Sequence, residues 1–156
     1  MNFLCPRHRQ MFSNLPLTEQ NDLWLLWMEY ALTFCEAQDT EKMIAATGSA
    51  FDLACLARAD HPDCMHVELT LSAIFVCRAL GDRGDHHAAD YVLFRAIESL
   101  QAVRPSGASP SGCCSTDECI TVLLDASRQA DFFSEYLNWP EMPVPQPRPQ
   151  TAMATH

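Results

Sequence analysis

The chain predicts an all-α protein, built of antiparallel helical hairpins stacked as a short solenoid or bundle of about five helices. Three observations carry that expectation. Residues 69–103 hold two apolar runs at helical spacing, separated by Gly81-Asp82-Arg83-Gly84. A shift of 42 positions lays a second pair of runs over the first. With 156 residues, 48% of them hydrophobic, and a mean hydropathy of -0.09, the chain can fold as one soluble domain with its own core.

In the first limb of the central hairpin, Leu69, Ile74, Phe75, Cys77 and Leu80 recur at roughly helical spacing, with Ala73 and Val76 between them. Such broad apolar coverage fits a helix packed on more than one side. Gly81 and Gly84 supply the stop, because glycine tolerates the left-handed conformation that ends many helices. Asp85 is the expected N-cap of the second limb, where Ala88, Ala89, Val92, Leu93, Ala96, Ile97 and Leu100 follow one buried face. Under the 42-position shift, Ala31 falls on Ala73, Cys35 on Cys77, Ala37 on Ala79, Ala46 on Ala88 and Ala54 on Ala96. Leu32, Phe34 and Phe51 fall on Ile74, Val76 and Leu93.

On these residues the chain resembles the tetratricopeptide family and its looser helical-repeat relatives. Gly84, Ala89, Leu93 and Ala96 sit at the spacing of that family's glycine, alanine, large-apolar and alanine positions, and Cys77 stands where a small residue is usual. The likeness spans about one and a half repeats. It implies binding of a protein or peptide on a concave face and no chemistry.

The elements follow in order. Residues 1–14 read as an N-terminal arm, and residues 15–104 as the two hairpins. The first helix extends to Ala37, with Thr18 as its N-cap and Asn21 or Asp22 as alternatives. Asp39 and Thr40 restart the chain, and the second helix runs over residues 40–59, with Gly48 marking a close helix crossing. Asp60-His61-Pro62-Asp63 ends it, and Pro62 or Asp63 opens the third. Residues 105–115 have the composition of a flexible linker. Thr116 caps a last helix over residues 116–138, striped by Ile120, Leu123, Leu124, Ser127, Ala130, Phe133 and Leu137, which lids the stack. Residues 139–156, with Pro140, Pro143, Pro145, Pro147 and Pro149, read as a disordered tail with Trp139 at its root.

Ten basic against twenty acidic residues leave a net charge of -10. A surface of that sign repels phosphate backbones and offers no basic cluster, so nucleic acid is not an expected partner. No apolar run is long enough for a membrane span, and the first nine residues reverse the order of a secretory signal. The expected location is cytoplasmic, where the eight cysteines stay reduced.

Function therefore reads as partner binding without catalysis. The expected module is an adaptor or chaperone-like regulator that takes a peptide or partner helix in a groove between the first and third helices. Trp24, Trp27, Tyr30 and Tyr91 are its candidate contacts, since aromatics dominate binding energetics; the plainer reading of the tryptophans is core. No cofactor is required. The rival is a metal- or thiol-responsive regulator in which Cys5, His8, Cys113, Cys114 and Cys119 hold zinc or switch by oxidation. A second cluster, His61, Cys64, Met65 and His66, offers soft-metal ligands, against the plainer reading of a polar helix start with Asp63 as cap. Gly81 and Gly84 lie between helices and so make no phosphate loop. No serine or cysteine sits in a nucleophile motif, and an enzyme is not expected.

Overall fold

Several helices begin where a side chain takes up the free N–H groups of a first turn. Asp39 accepts from the Lys42 N–H at 3.2 Å, Asp85 from Ala88 at 3.3 Å and Ser115 from Glu118 at 3.1 Å. The Cys5 thiol does the same for His8 at 3.5 Å, with Pro6 following as first helical residue. The computed structural model describes residues 2–102 and 115–137, and among these it shows helices and connections but no strand. The helices are α1 (Pro6–Ser13), α2 (Leu17–Glu36), α3 (Thr40–Asp60), α4 (His66–Asp82), α5 (His86–Gln101), α6 (Thr116–Leu124) and α7 (Gln129–Leu137), with a 3₁₀ turn at Ala126–Arg128.

Four expected boundaries change. The arm contains a helix, α1. α2 starts at Leu17 behind Pro16, so Thr18, Asn21 and Asp22 lie inside it and do not cap it. α4 starts at His66 behind Met65 in the left-handed conformation (φ 58°), later than Pro62 or Asp63. The last helix is capped by Ser115, one residue before Thr116, and breaks at Asp125. Asp125 accepts from the N–H and hydroxyl of Ser127, a local turn that competes with helix. Buried Gln129 then closes the end of α6, donating to the Val122 carbonyl at 3.1 Å while accepting from Arg78. The expectations for residues 105–114 and 138–156 lie outside the described residues.

α3 and α4 form the centre. α3 packs against α1, α2, α4 and α5, and α4 against α3, α5, α6 and α7. Ala46, Ala50, Ala54 and Ala57 keep α3 slim enough for close neighbours, and Phe51, Leu53, Leu69, Phe75, Leu80 and Phe133 fill the space between. Each such large side chain contributes roughly 1.5–3 kcal/mol by leaving water. Phe133 of α7 meets Phe75 of α4 edge-on at 6.4 Å.

The turns of the two hairpins match bond for bond, in a register of 46 positions and not 42. Asp39 and Asp85, 46 positions apart, occupy the same place in the same turn. Asp39 N–H bonds the Phe34 carbonyl as Asp85 N–H bonds that of Leu80, and the Gln38–Cys35 and Ala37–Thr33 bonds match Gly84–Gly81 and Arg83–Ala79. The 42-position pairing would lay Ala37, a helix cap, on Ala79, which lies inside α4.

Gly48 does mark a close approach, made by the arm and by no helix. The Phe3 ring lies in the notch where a Cβ would stand. One turn further along α3, fully buried Asp52 accepts from the Leu4 N–H at 2.9 Å and from that of Phe3, and pairs with Arg95 of α5 at 2.9 Å. Arg9 of α1 stands 3.8 Å away. One carboxylate thus fastens the arm, α3 and α5 together.

Candidate partner-binding face

α2 carries two apolar stripes where a one-sided helix carries one. The first, Gln20, Trp24, Met28, Ala31 and Cys35, is buried. The second, Leu23, Trp27, Tyr30 and Phe34 at spacings of four, three and four, runs along its flank and is only partly covered. Leu26 widens it; Tyr30 is 48% and Leu26 41% exposed. α1 borders one end, where Phe12 meets Trp27 edge-on at 5.4 Å and stacks on His8. At the other end the Lys42 ammonium lies 5.8 Å from the Phe34 ring and pairs with Asp39.

The charge beside this stripe has one sign. α2 contains Glu19, Asp22, Glu29 and Glu36, all exposed, and no lysine, arginine or histidine. Among the described residues no ion pair reaches these four carboxylates.

The expected contact residues separate. Trp24 is 3% exposed, and its indole N–H is buried without a hydrogen-bond partner. It is a core residue and presents nothing to a partner, which corrects its place among the candidates. Trp27 is half-buried and Tyr30 exposed, both on the second stripe of α2. Tyr91 is exposed but sits on α5, where Arg95 lies 5.9 Å above its ring. The first and third expected helices, α2 and α4, each pack along α3. Leu23, Leu25, Leu26 and Phe34 are not among the expected contacts, although the spacing of 23, 27, 30 and 34 is a signal that the sequence carries. Phe94 of α5, 66% exposed, is not among them either.

Of the expected metal ligands, two meet among the described residues. Cys5 Sγ lies 3.1 Å from His8 Nδ1 at the start of α1. Cys119 is fully buried on α6, which packs on α4 and α5. Cys113 and Cys114 lie outside the described residues. Among the described residues no three histidine, cysteine or acidic side chains converge on a metal position, and this includes His61, Cys64 and His66. Burial pushes the Cys55 thiol up to about 12, with Asp52 adding to it and Arg95 and Arg58 opposing. Burial and then Asp90 push Cys77 up to about 12, and burial and then Glu36 raise Cys35. These three thiols are small apolar groups at neutral pH.

The buried ions are structural. Arg58 donates to the Ser99 hydroxyl and carbonyl at 3.1 and 3.0 Å and to the Cys64 carbonyl at 3.0 Å, joining the end of α3 to the end of α5. Burial lowers its pKa. A groove of about 330 Å³ between α4, α5 and the α6–α7 corner has Ile74, Cys77, Leu93 and Leu123 as walls, and Arg78 in it is bound to Gln129. No helix among the described residues is long and apolar enough to cross a membrane. Compared with known proteins, the chain matches no family model, no curated protein and no solved structure.

Proposed function

We propose that the chain is a non-enzymatic protein-interaction module, an adaptor or chaperone-like regulator, that binds a peptide or partner helix on the flank of α2. The observation that carries this reading is the second apolar stripe, with Tyr30 and Leu26 held in water on an outer helix. Half-exposed aromatics on a rigid helix give contact area at little entropic cost, which suits binding. The tetratricopeptide likeness belongs to the same proposal, and the bond-for-bond equivalence of the two hairpin turns supports it. The test is a comparison of partners co-purified with the wild-type chain and with Leu26→Glu, both checked for helical circular dichroism. Loss of a specific partner from the variant is the expected result. An unchanged set of partners removes the α2 flank as the binding face.

A second reading, a zinc- or thiol-responsive regulator, draws on the close Cys5–His8 pair, with Cys113 and Cys114 as its further ligands. Elemental analysis of protein purified without chelator tests it: one zinc per chain would establish the metal form, and its absence would remove it.

A further inference from the structure

Resting on the interaction-module reading, we infer that the occupant of the α2 flank is a basic amphipathic helix. That it is a helix follows from the repeat. The 46-position register carries Leu23, Trp27, Tyr30 and Phe34 onto Leu69, Ala73, Val76 and Leu80 of α4, all of which are fully buried. The other faces of α4 are accounted for. Ile74 and Cys77 look toward Ala89 and Leu93 of α5, Phe75 meets Phe133 of α7, and Arg78 reaches Gln129. Helical periodicity leaves the Leu69–Leu80 stripe for α3, the second helix of the preceding hairpin. On α2, among the described residues, α1 borders the same stripe at Trp27, while Tyr30 and Leu26 stay exposed. A surface that one helix covers in the second repeat is shaped for a helix in the first. Its spacing of four, three and four is that of a helix–helix seam.

That the helix is basic follows from charge. Glu19, Asp22, Glu29 and Glu36 stand exposed along the seam with no cation on α2 to answer them. Of the neighbouring cations, Lys42 faces Asp39 and Arg9 faces Asp52, which leaves Arg7 on α1 as a positive margin at one end. A second copy of this chain would set α2 carboxylates against each other, in a molecule of net charge -10. An anionic bilayer meets the same repulsion. Lysine or arginine on the flanks of a partner helix turns that repulsion into attraction and leaves its apolar seam for Leu23, Leu26, Trp27 and Tyr30.

The experiment uses the full chain and two synthetic amphipathic peptides of about 18 residues, long enough to run beside α2. Both have leucine along one seam; one has lysine on its flanks and the other glutamate. Binding is read by anisotropy of the labelled peptide. The lysine peptide is expected to bind, at least about tenfold more tightly than the glutamate peptide, and to weaken several-fold as salt is raised. Leu26→Glu is expected to abolish binding. The exposed pair Asp22→Lys and Glu29→Lys should reverse the preference. Equal binding of both peptides, or of neither, overturns the basic assignment. So does a concentration-dependent dimer in sedimentation that Leu26→Glu dissolves, since the occupant would then be a second copy. The interaction-module reading falls separately, when Leu26→Glu leaves the co-purified partners unchanged.

Discussion

The hairpins α2–α3 and α4–α5 share a backbone and differ in what surrounds them. In both, an aspartate caps the second helix and a left-handed residue turns the chain, Gln38 at φ 58° in the first and Gly84 at φ 90° in the second. α4, however, is enclosed by α3, α5, α6 and α7, whereas α2 has α3 along one side and little else along its length. Equivalent positions therefore live in different solvents: Val76 is buried while Tyr30 is half in water, and Asp52 is buried while Glu98, its counterpart 46 positions on, is exposed. The difference shows that two turns of the same geometry do not give their helices the same burial: the neighbours of each helix determine which side chains hold the fold and which stay in water.

The largest effect expected from this contrast is at the seam. Val76→Glu buries an unpaired carboxylate between helices and should cost about 4 kcal/mol or more, enough to prevent folding. Tyr30→Glu, at the equivalent place on α2, should change stability by no more than about 0.5 kcal/mol. Urea unfolding followed by circular dichroism measures both. A Tyr30→Glu variant as unstable as Val76→Glu would mean that the α2 flank is core after all.

Next comes the carboxylate pair. Asp52→Asn leaves the Arg95 guanidinium without its counter-charge and weakens the hold on Phe3 and Leu4, a loss of about 3–5 kcal/mol. Glu98→Gln should be nearly neutral. Limited proteolysis gives an independent check: in Asp52→Asn, cleavage near residue 9 should appear before any cut within α4. Equal stability of the two variants would show that the buried carboxylate does not fasten the arm.

The turns are the third contrast. Gly84→Ala forces a side chain into a positive φ and should cost about 1–2 kcal/mol. Gln38→Gly relieves the same constraint in the first hairpin and should gain up to about 1 kcal/mol. Opposite signs are the expected result, and a destabilised Gln38→Gly would mean that the two turns are not energetically alike.

What could be read beforehand follows the range of the forces. Asp39 and Asp85 act on N–H groups three residues away, so both caps stand in the linear sequence: Asp85 is expected as a cap and Asp39 as the point where the chain restarts. The start of α4 had no such signal, because Met65 turns the chain without a side-chain bond, and Pro62-Asp63 offered a more familiar start. The break at Asp125 was legible in Asp125 and Ser127 but was masked by apolar periodicity that continues through it. The 42-position register rewarded matching alanines, which are plentiful, over turn chemistry, which is specific. Which tryptophan faces the core depends on where α3 lies, and the anchoring of Leu4 by Asp52 spans 48 residues; neither leaves a local trace. The second stripe of α2 is legible in the spacing of Leu23, Trp27, Tyr30 and Phe34, whereas aromatic type alone does not separate Trp24, which is buried, from Trp27.

The last contrast appears only at alkaline pH. Cys77 of α4 has Ala31 of α2 as its counterpart, so at this place the second hairpin carries a thiol, while those of the first hairpin, Cys35 and Cys55, stand elsewhere. Burial raises that thiol from an ordinary 9.0 to about 12, which means the folded chain holds it protonated where the unfolded chain would release the proton. The sign follows: the stabilisation is complete below about pH 9 and is lost progressively as pH rises towards 12, since the unfolded state alone gains by ionising. Cys55 adds a second contribution of the same sign. Replacing Cys77 with alanine should therefore flatten, without abolishing, the decline in unfolding free energy between about pH 8 and about pH 10.5. Tyrosine and lysine titrate in both proteins and cancel in the comparison. An unchanged slope would mean that the Cys77 thiol ionises as readily in the folded chain as in water, and that the groove beside it is wetter than its apolar walls imply.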